Sequence, residues 1–334
     1  MTRPPASLTS HTVLPIGGTR AVLEASTAAE TGDAALAVVL ETSGSTYVRA
    51  GALALFDEHG GQTGWLSGGC LEPEIAQRAQ QAMQARRTEW MEIDTRSDED
   101  LLSGSAVGCR GRLRLALVPL PALPSWPAMV AAWRDGAGTL VMHVHADGRI
   151  EARIGSIEGT WQLDAATPPW TDASSRWPLS IAPMPSILVL GAGPETPVLL
   201  PMLRALGAHV TLVERRPRWR MHAAFADASL DETPTQALAA STRRHDAALV
   251  MHHHFELDRE ALAALAQAPI GFVGLLGPVR RRDDLFRVLT AAAREVLLPR
   301  LHSPIGLHLG GTGPEAIALS IAAQLQRHLH GVSA

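Results

Sequence analysis

The sequence predicts an α/β protein, with a C-terminal Rossmann-like, doubly wound parallel sheet plus a smaller N-terminal α+β domain. Three observations carry this. Ile187–Leu190, Gly191-Ala-Gly-Pro, Val198–Leu206 and His209–Val213 read in order as strand, tight turn, helix and strand, a βαβ unit. Apolar runs at Ala247–Met251 and Ile270–Leu275 fit further strands of the same sheet. The N-terminal part instead mixes short strands, hairpin signals and two helical stretches.

Taken along the chain, Thr19–Thr31 has helical composition, and the apolar run Ala35–Glu41 reads as a buried strand. The turn-rich Thr42-Ser-Gly-Ser-Thr-Tyr leads to a strand at Ala52–Asp57. Glu58-His-Gly-Gly is a hairpin break before a short strand at Thr63–Leu66. Pro73 stands where a first helical turn begins, and Glu74–Arg87 reads as a helix. Gly111–Val118 closes a first domain, spanning 11–120. Residues 121–184 read as a Pro/Trp-rich connecting segment, with a β-hairpin formed by Thr139–His145 and Arg149–Ile154 around Ala-Asp-Gly. The third block, 185–334, holds the βαβ unit and ends in a helix over Pro314–His330, with Ile317, Ile321 and Leu325 on one face.

Bulk properties narrow the function classes. Among 334 residues, 46% are hydrophobic and 19% charged, enough apolar material for two cores. A formal net charge of -4 argues against nucleic acid as the main ligand. No apolar run reaches the roughly 18 residues of a membrane span. Met1–Ser10 lacks the apolar stretch of a secretory signal. The only two cysteines are Cys70 and Cys109. A cytoplasmic protein with free thiols is the simpler reading.

The richest motif is Ser67-Gly68-Gly69-Cys70-Leu-Glu-Pro73, which runs from a strand into a helix start. Paired glycines let backbone approach a ligand closely, and a helix N-terminus favours anions, a cysteine thiolate included. The alternative is a buried cysteine in a tight turn. Gly108-Cys109-Arg110-Gly111 is a second glycine-flanked cysteine; no neighbouring Cys or His completes a zinc spacing. The two thiols read either as a shared approach to a metal or as incidental. The loop from Gly44 to Gly51 offers Ser45, the only tyrosine Tyr47, and Arg49, suited to a phosphate or a pterin-like edge. A solvated hairpin is the milder reading.

In the third block, Gly191 and Gly193 supply two of the three glycines of a nucleotide fingerprint, and Glu214 ends the next strand where a ribose-binding acid belongs. Pro194 removes a donor there, and Glu195 sets a negative side chain where a pyrophosphate would rest. Arg280, Arg281 and Arg282 follow a strand and suit either a phosphate or a solvated helical turn. His252-His253-His254 reads as a polar lip of the same crevice, with metal binding the weaker alternative. No Ser/His/Asp context and no P-loop is present, so no self-contained catalytic site is expected.

These motifs in this order resemble the XdhC/CoxI family of xanthine dehydrogenase accessory factors. The N-terminal likeness rests on Gly44-Ser-Thr-Tyr with Arg49-Ala-Gly51, Ser67-Gly-Gly-Cys70-Leu-Glu72 and Gly108-Cys109-Arg-Gly111. The C-terminal likeness rests on Gly191-Ala-Gly-Pro, Val213-Glu-Arg-Arg-Pro217, Met251-His-His-His, Gly274-Leu-Leu-Gly277 and Pro304-Ile-Gly306-Leu through Ser320. The sequence departs from the family pattern at Arg110, where glycine is usual, at His308, where aspartate is common, and at Pro278, often serine. The resemblance implies a cofactor-handling protein. It would bind molybdenum cofactor (molybdopterin, or a dinucleotide form), shield it during sulfuration by a cysteine desulfurase, and pass it to the cofactor-carrying subunit of some xanthine dehydrogenase-type molybdoenzyme. A homodimer would bring both sets of loops together. Two competing readings are an NAD(P)-dependent oxidoreductase and a docking module without a ligand.

Overall fold

The computed structural model describes residues 17–28, 33–96, 110–171 and 174–331. The chain divides into two compact units, Met1–Ala182 and Pro183–Ala334.

The N-terminal unit is built on a five-stranded antiparallel sheet in the order β3-β2-β1-β5-β4, from β1 (Ala34–Gly44), β2 (Leu53–Asp57), β3 (Gln62–Thr63), β4 (Glu89–Asp94) and β5 (Gly111–Pro119). Residues 34–40 of central β1 are all buried, so both faces of the sheet are covered. Ala35, Ala37 and Val39 pack with Leu115 and Leu117 against Ile75, Ala79 and Met83 of helix α2 (Glu72–Ala85). A short helix α1 (Thr19–Ala25) lies against β2 and β3. The expected strand at Thr63–Leu66 is cut to Gln62–Thr63. Gly64 turns the chain away with φ +89, and a Cβ there would meet Val22 Cγ2 at 2.6 Å and Leu53 O at 2.8 Å.

Residues 121–184, read above as a connector with one hairpin, hold a helix and four strands. These are α3 (Trp126–Arg134), β6 (Leu140–His145), β7 (Arg149–Ile154), β8 (Ile157–Gln162) and β9 (Arg176–Ile181), in sheet order β8-β7-β6-β9. The inner residues Met142, Val144, Ile150, Ala152 and Leu179 are buried, as are Met129 and Trp133 of the neighbouring α3. Pro178 fits because β9 is an edge strand, where a missing donor is tolerated. This layer is tied to the first sheet by tryptophans. Trp177 Nε1 donates to Glu41 Oε1 at 2.6 Å, Trp90 Nε1 donates to Ala166 O at 2.7 Å, and Trp170 lies under the Arg114 guanidinium at 5.0 Å. Buried Arg114 also bonds Glu92 at 2.6 Å and Glu41 at 3.0 Å.

The C-terminal unit is a six-stranded, all-parallel sheet in the order β12-β11-β10-β13-β14-β15. Its strands are β10 (Ser186–Leu190), β11 (His209–Val213), β12 (Ala228–Leu230), β13 (Ala247–Val250), β14 (Phe272–Leu275) and β15 (Leu301–His302). This is the doubly wound order, with the switch point between β10 and β13. Central β10, β13 and β14 are fully buried, as apolar strands covered on both faces should be. One face packs against α4 (Thr196–Ala205) and α9 (Pro314–Leu329); the other packs against α5 (Pro234–Ala240), α6 (Phe255–Leu265), α7 (Val279–Val288) and α8 (Ala291–Leu297). Among the described residues, no helix is long and apolar enough to cross a membrane.

Candidate functional site

In the N-terminal unit, strand register gathers several candidate loops at one end of the five-stranded sheet. Gly44 at the end of β1 pairs with Gly111 at the start of β5, and Asp94 at the end of β4 pairs with Arg112. Thr63 ends β3 beside Leu55, close to the start of β2. The 45–52 and 64–71 loops therefore leave the sheet toward the same end, where Arg110 and Gly111 also sit. Gly108 and Cys109 lie outside the described residues.

The 66–72 loop is braced by one buried carboxylate. Glu72 Oε1 accepts from the amides of Ser67 (2.8 Å) and Leu66 (3.2 Å), and its Oε2 accepts from the Ser67 hydroxyl. Ser67 Oγ in turn accepts from the amides of Leu71 (3.1 Å) and Gly69 (3.2 Å). Burial pushes the Glu72 carboxyl up, but the Ser67 hydroxyl and the surrounding amides outweigh it and hold it below its ordinary value. The anionic group at the start of α2 is thus the chain's own Glu72. What faces solvent is Gly68, Gly69 and Cys70. A Cβ added at either glycine would meet nothing within 4 Å. The Gly68 and Cys70 amides bond no other described residue.

At the same end, Ser45, Tyr47 and Arg49 are exposed. The loop carrying them is pinned by Ser45 N donating to Arg110 O (3.0 Å), Thr46 Oγ1 donating to Val48 O (2.7 Å) and Gly51 N donating to Val39 O (2.8 Å). Arg49 forms no ion pair among the described residues. The arrangement presents a guanidinium, two hydroxyls, free amides and a thiol to solvent on anchored loops. Among the described residues, no group of three His, Cys, Asp or Glu side chains could hold a metal ion.

In the C-terminal unit, the glycine loop opens from β10 at the switch point, where an open sheet offers its ligand crevice. Here the crevice is filled from within. Gly191 has φ +91, and a Cβ on it would lie 2.4 Å from His252 Cγ. Glu214 turns inward instead of out toward a ribose. Its Oε1 accepts from Arg216 N (2.8 Å) and Nε (2.9 Å), and its Oε2 accepts from Ala192 N (2.7 Å) and Arg216 Nη2 (2.6 Å). All four acceptor positions are thereby used. Arg216 also donates to His252 O (2.7 Å) and Ala192 O (2.8 Å), locking the loop after β11 onto those after β10 and β13. Burial pushes the Glu214 carboxyl up, yet its bonds to Arg216 outweigh this and lower it.

Gly193 lies against the second acid. A Cβ there would meet Glu195 Oε2 and the His253 ring at 2.8 Å. Glu195 is buried at the start of α4 and faces His253 Nε2 at 3.2 Å; burial pushes its carboxyl up, but the His253 bond, a backbone amide and the His253 charge together outweigh it and lower it. His253 takes a left-handed backbone, φ +53. His252 Nδ1 faces Asp258 Oδ1 at 3.1 Å, and Asp258 Oδ2 accepts from Arg281 Nη2 at 2.6 Å.

The structure thus brings Gly191, Gly193, Glu214 and Arg281 into one charged network, while Arg280 points to solvent, its side chain 92% exposed. Sequence reasoning missed Arg216 and Asp258. The run Val213-Glu-Arg-Arg-Pro217 was the available signal for Arg216; Asp258 reads as an ordinary helix-surface acid. A cleft of about 380 Å³ borders this end of the sheet, between Gly277, Pro278, the 304–311 segment and Ser320.

Comparison with known proteins agrees with this architecture. A family model described as the XdhC Rossmann domain matches residues 187–325, and one described as the XdhC and CoxI family matches residues 27–94. The chain is 27% identical over 310 residues to a probable xanthine dehydrogenase subunit of Bacillus subtilis (strain 168), covering 88% of this chain and 92% of that one. A 70-residue stretch is 39% identical to the uncharacterized protein YqeB of Escherichia coli (strain K12), covering 20% of this chain and 13% of that one. Among solved structures, one described as a xanthine dehydrogenase from Bacillus halodurans superposes with a TM-score of 0.75 at 26% identity. It covers 95% of this chain and 97% of that one.

Proposed function

This chain belongs to the XdhC and CoxI family, and from that premise we propose that it is an accessory protein of a xanthine dehydrogenase-type enzyme that handles its molybdenum cofactor. The observation that carries this reading is the solvent-open Gly68-Gly69-Cys70 loop, braced from beneath by Ser67 and Glu72. Ser45, Tyr47 and Arg49 stand at the same end of the sheet.

The donor set fits the group. Molybdopterin carries a phosphate, a hydrogen-bonding pterin edge and dithiolene sulfurs on molybdenum. Arg49, with the free amides of Gly68 and Cys70, suits the phosphate. Ser45 and Tyr47 suit the pterin edge. The Cys70 thiol suits the sulfur-rich metal end, since a thiolate is a soft sulfur ligand like the dithiolene. When bound, the cofactor supplies the molybdenum centre that the client enzyme requires. The chain's own residues hold it, exclude bulk water on one side and leave Cys70 accessible to a sulfur donor such as a cysteine desulfurase. An exposed thiol without a disulfide suits a reducing compartment such as the cytoplasm.

The test is to purify the full chain from a molybdopterin-producing host and read released pterin by fluorescence after oxidation. Stoichiometric pterin is expected from wild type, falling severalfold in Arg49→Ala. In Cys70→Ala, pterin should be retained but maturation of the client enzyme lost. No pterin in the purified protein, with no uptake of added cofactor, rules the reading out.

A further inference from the structure

A groove of about 670 Å³ opens in the C-terminal unit at the end of the sheet opposite the glycine loop. Two of its lining residues, His245 and Ile270, lie just ahead of β13 and β14, so it sits at the N-terminal ends of the strands. It lies between α5 and α6, and the network around Gly191 and Glu214 takes no part in it. Its volume falls in the range that holds small-molecule ligands, roughly 300–1,000 Å³.

The walls are mostly apolar. Leu238 comes from α5, Ala263 and Ala264 from α6, and Ala268 and Ile270 from the connection to β14. Alanines where longer side chains would fill the space leave a flat surface, matched to a planar ring more than to a branched chain. The charged lining is one-sided. Arg243, Arg244 and Arg259 contribute cations, and the only lining carboxylate, Glu260, is bonded to Arg215. Arg259 engages Glu256 through Nε, and exposed Arg244 forms no ion pair among the described residues.

The loop that carries these arginines is built in advance. Buried His245 faces Ser186 Oγ through Nδ1 (2.9 Å) and Ser241 Oγ through Nε2 (3.1 Å). Ser241 Oγ donates to Arg243 O (2.9 Å), so Nε2 of the imidazole is the donor to Ser241 and Nδ1 accepts from Ser186. This neutral tautomer fixes the 241–245 segment and leaves the positive charge to the arginines. A prebuilt pocket avoids the ordering cost that weakens binding to mobile loops.

We propose that this groove is a binding site for a planar aromatic anion, its ring on Ala263, Ala264 and Ile270 and its anionic group beside Arg244 and Arg243. The experiment titrates the full chain with 8-anilinonaphthalene-1-sulfonate, followed by fluorescence and calorimetry, beside the uncharged analogue N-phenyl-1-naphthylamine. Saturable binding of one probe per chain is expected. Arg244→Glu should weaken it about tenfold or more, the equivalent of one charge-assisted contact. The uncharged analogue should bind about tenfold more weakly and ignore Arg244→Glu. Ala263→Trp should abolish binding by filling the floor. Gln267→Trp fills the same groove from an exposed position and decides the matter should Ala263→Trp fail to fold. Absence of saturable binding, binding unchanged by Gln267→Trp, or equal affinity for both probes overturns the proposal.

Discussion

Glu214→Ala isolates the claim that the nucleotide-type acid has been turned inward. The wild-type carboxylate, its side chain 1% exposed, satisfies Ala192 N and three groups of Arg216. Removing one member of a buried ion pair costs about 3–5 kcal/mol, because the other charge is left without its partner. Arg216 keeps its bonds to Ala192 O and His252 O, and its side chain is 24% exposed. The lower end, about 3 kcal/mol, therefore applies. For a unit of this size that is a fall of about 6–12 °C in Tm. Trp219 is the only one of the eight tryptophans beyond Ala182, so the difference in fluorescence during urea unfolding between the chain and its Trp219→Phe form reports this unit. Glu214→Gln, which keeps the shape and loses the charge, should lie between wild type and Glu214→Ala. A loss below about 1 kcal/mol, the worth of a solvent-exposed pair, would refute the reasoning and return Glu214 to the role of a free ligand-binding acid.

Other outcomes follow from the same geometry. Gly191→Ala should destabilise the C-terminal unit by about 2 kcal/mol or more, since it adds a clash with His252 to a left-handed backbone, whereas Gly207→Ala, with φ +91 and open space, should cost about 1 kcal/mol; equal urea midpoints would show that His252 is not packed there. Ser67→Ala strips Glu72 of its hydroxyl donor and leaves the Gly69 and Leu71 amides without an acceptor, and should lower the stability of the N-terminal unit by about 1–2 kcal/mol and change the alkylation rate of Cys70 measured by peptide mass spectrometry. Burial holds His222, His245 and His302 below the ordinary value of 6.5, with the charge of Arg243 adding to this for His245, and those of His328 and Arg327 for His302. Their unfolded forms take up protons first, so stability is full above about pH 6.5 and falls as pH drops below it. The lowered Glu195 and Glu214 add a further loss as pH falls past the ordinary carboxyl value of 4.5 toward their folded ones. A Trp219 urea midpoint that stays flat between about pH 7.5 and 5.5 would contradict the histidine part.

Legibility in the sequence tracked how much each feature depends on local pattern. β1, β5, β10, β11 and β13 are apolar runs bounded by glycine, proline or charge, and a buried strand leaves that mark by itself. β4, β8 and β9 escaped because glutamates, Gly159 and Pro178 interrupt them; their strand character comes from an edge position or a tryptophan packed across the chain. At the sites, glycine marked both loops, since positive φ at Gly69 and Gly191 demands it. The partners were invisible for a different reason. Glu72 bonds back across a loop, Asp258 meets Arg281 over 23 positions, and Arg216 binds Ala192 over 24. Adjacent Arg280 and Arg281 look alike in sequence, yet one helical step of about 100° sends the first to solvent and the second onto Asp258.

A Rossmann sheet usually leaves its glycine loop with free amides for a pyrophosphate and a free acid for a ribose. Here the same backbone is retained with those functions consumed internally. Glu214 takes the Ala192 amide, Thr196 Oγ1 takes the Gly193 amide at 2.9 Å, and Pro194 has none to offer. Two lowered carboxyls, Glu195 and Glu214, already hold negative charge at the start of α4. A dinucleotide would set its own charges beside them, and one such like-charge contact at 4 Å costs about 4 kcal/mol near a protein surface. A loop saturated in this way works as a rigid joint between strands, through Arg216 and His252, more than as a receptor. Groups still open to an anionic ligand lie elsewhere: Arg49 with the Gly68 and Cys70 amides in the N-terminal unit, and Arg244 of the groove between α5 and α6 in the C-terminal one.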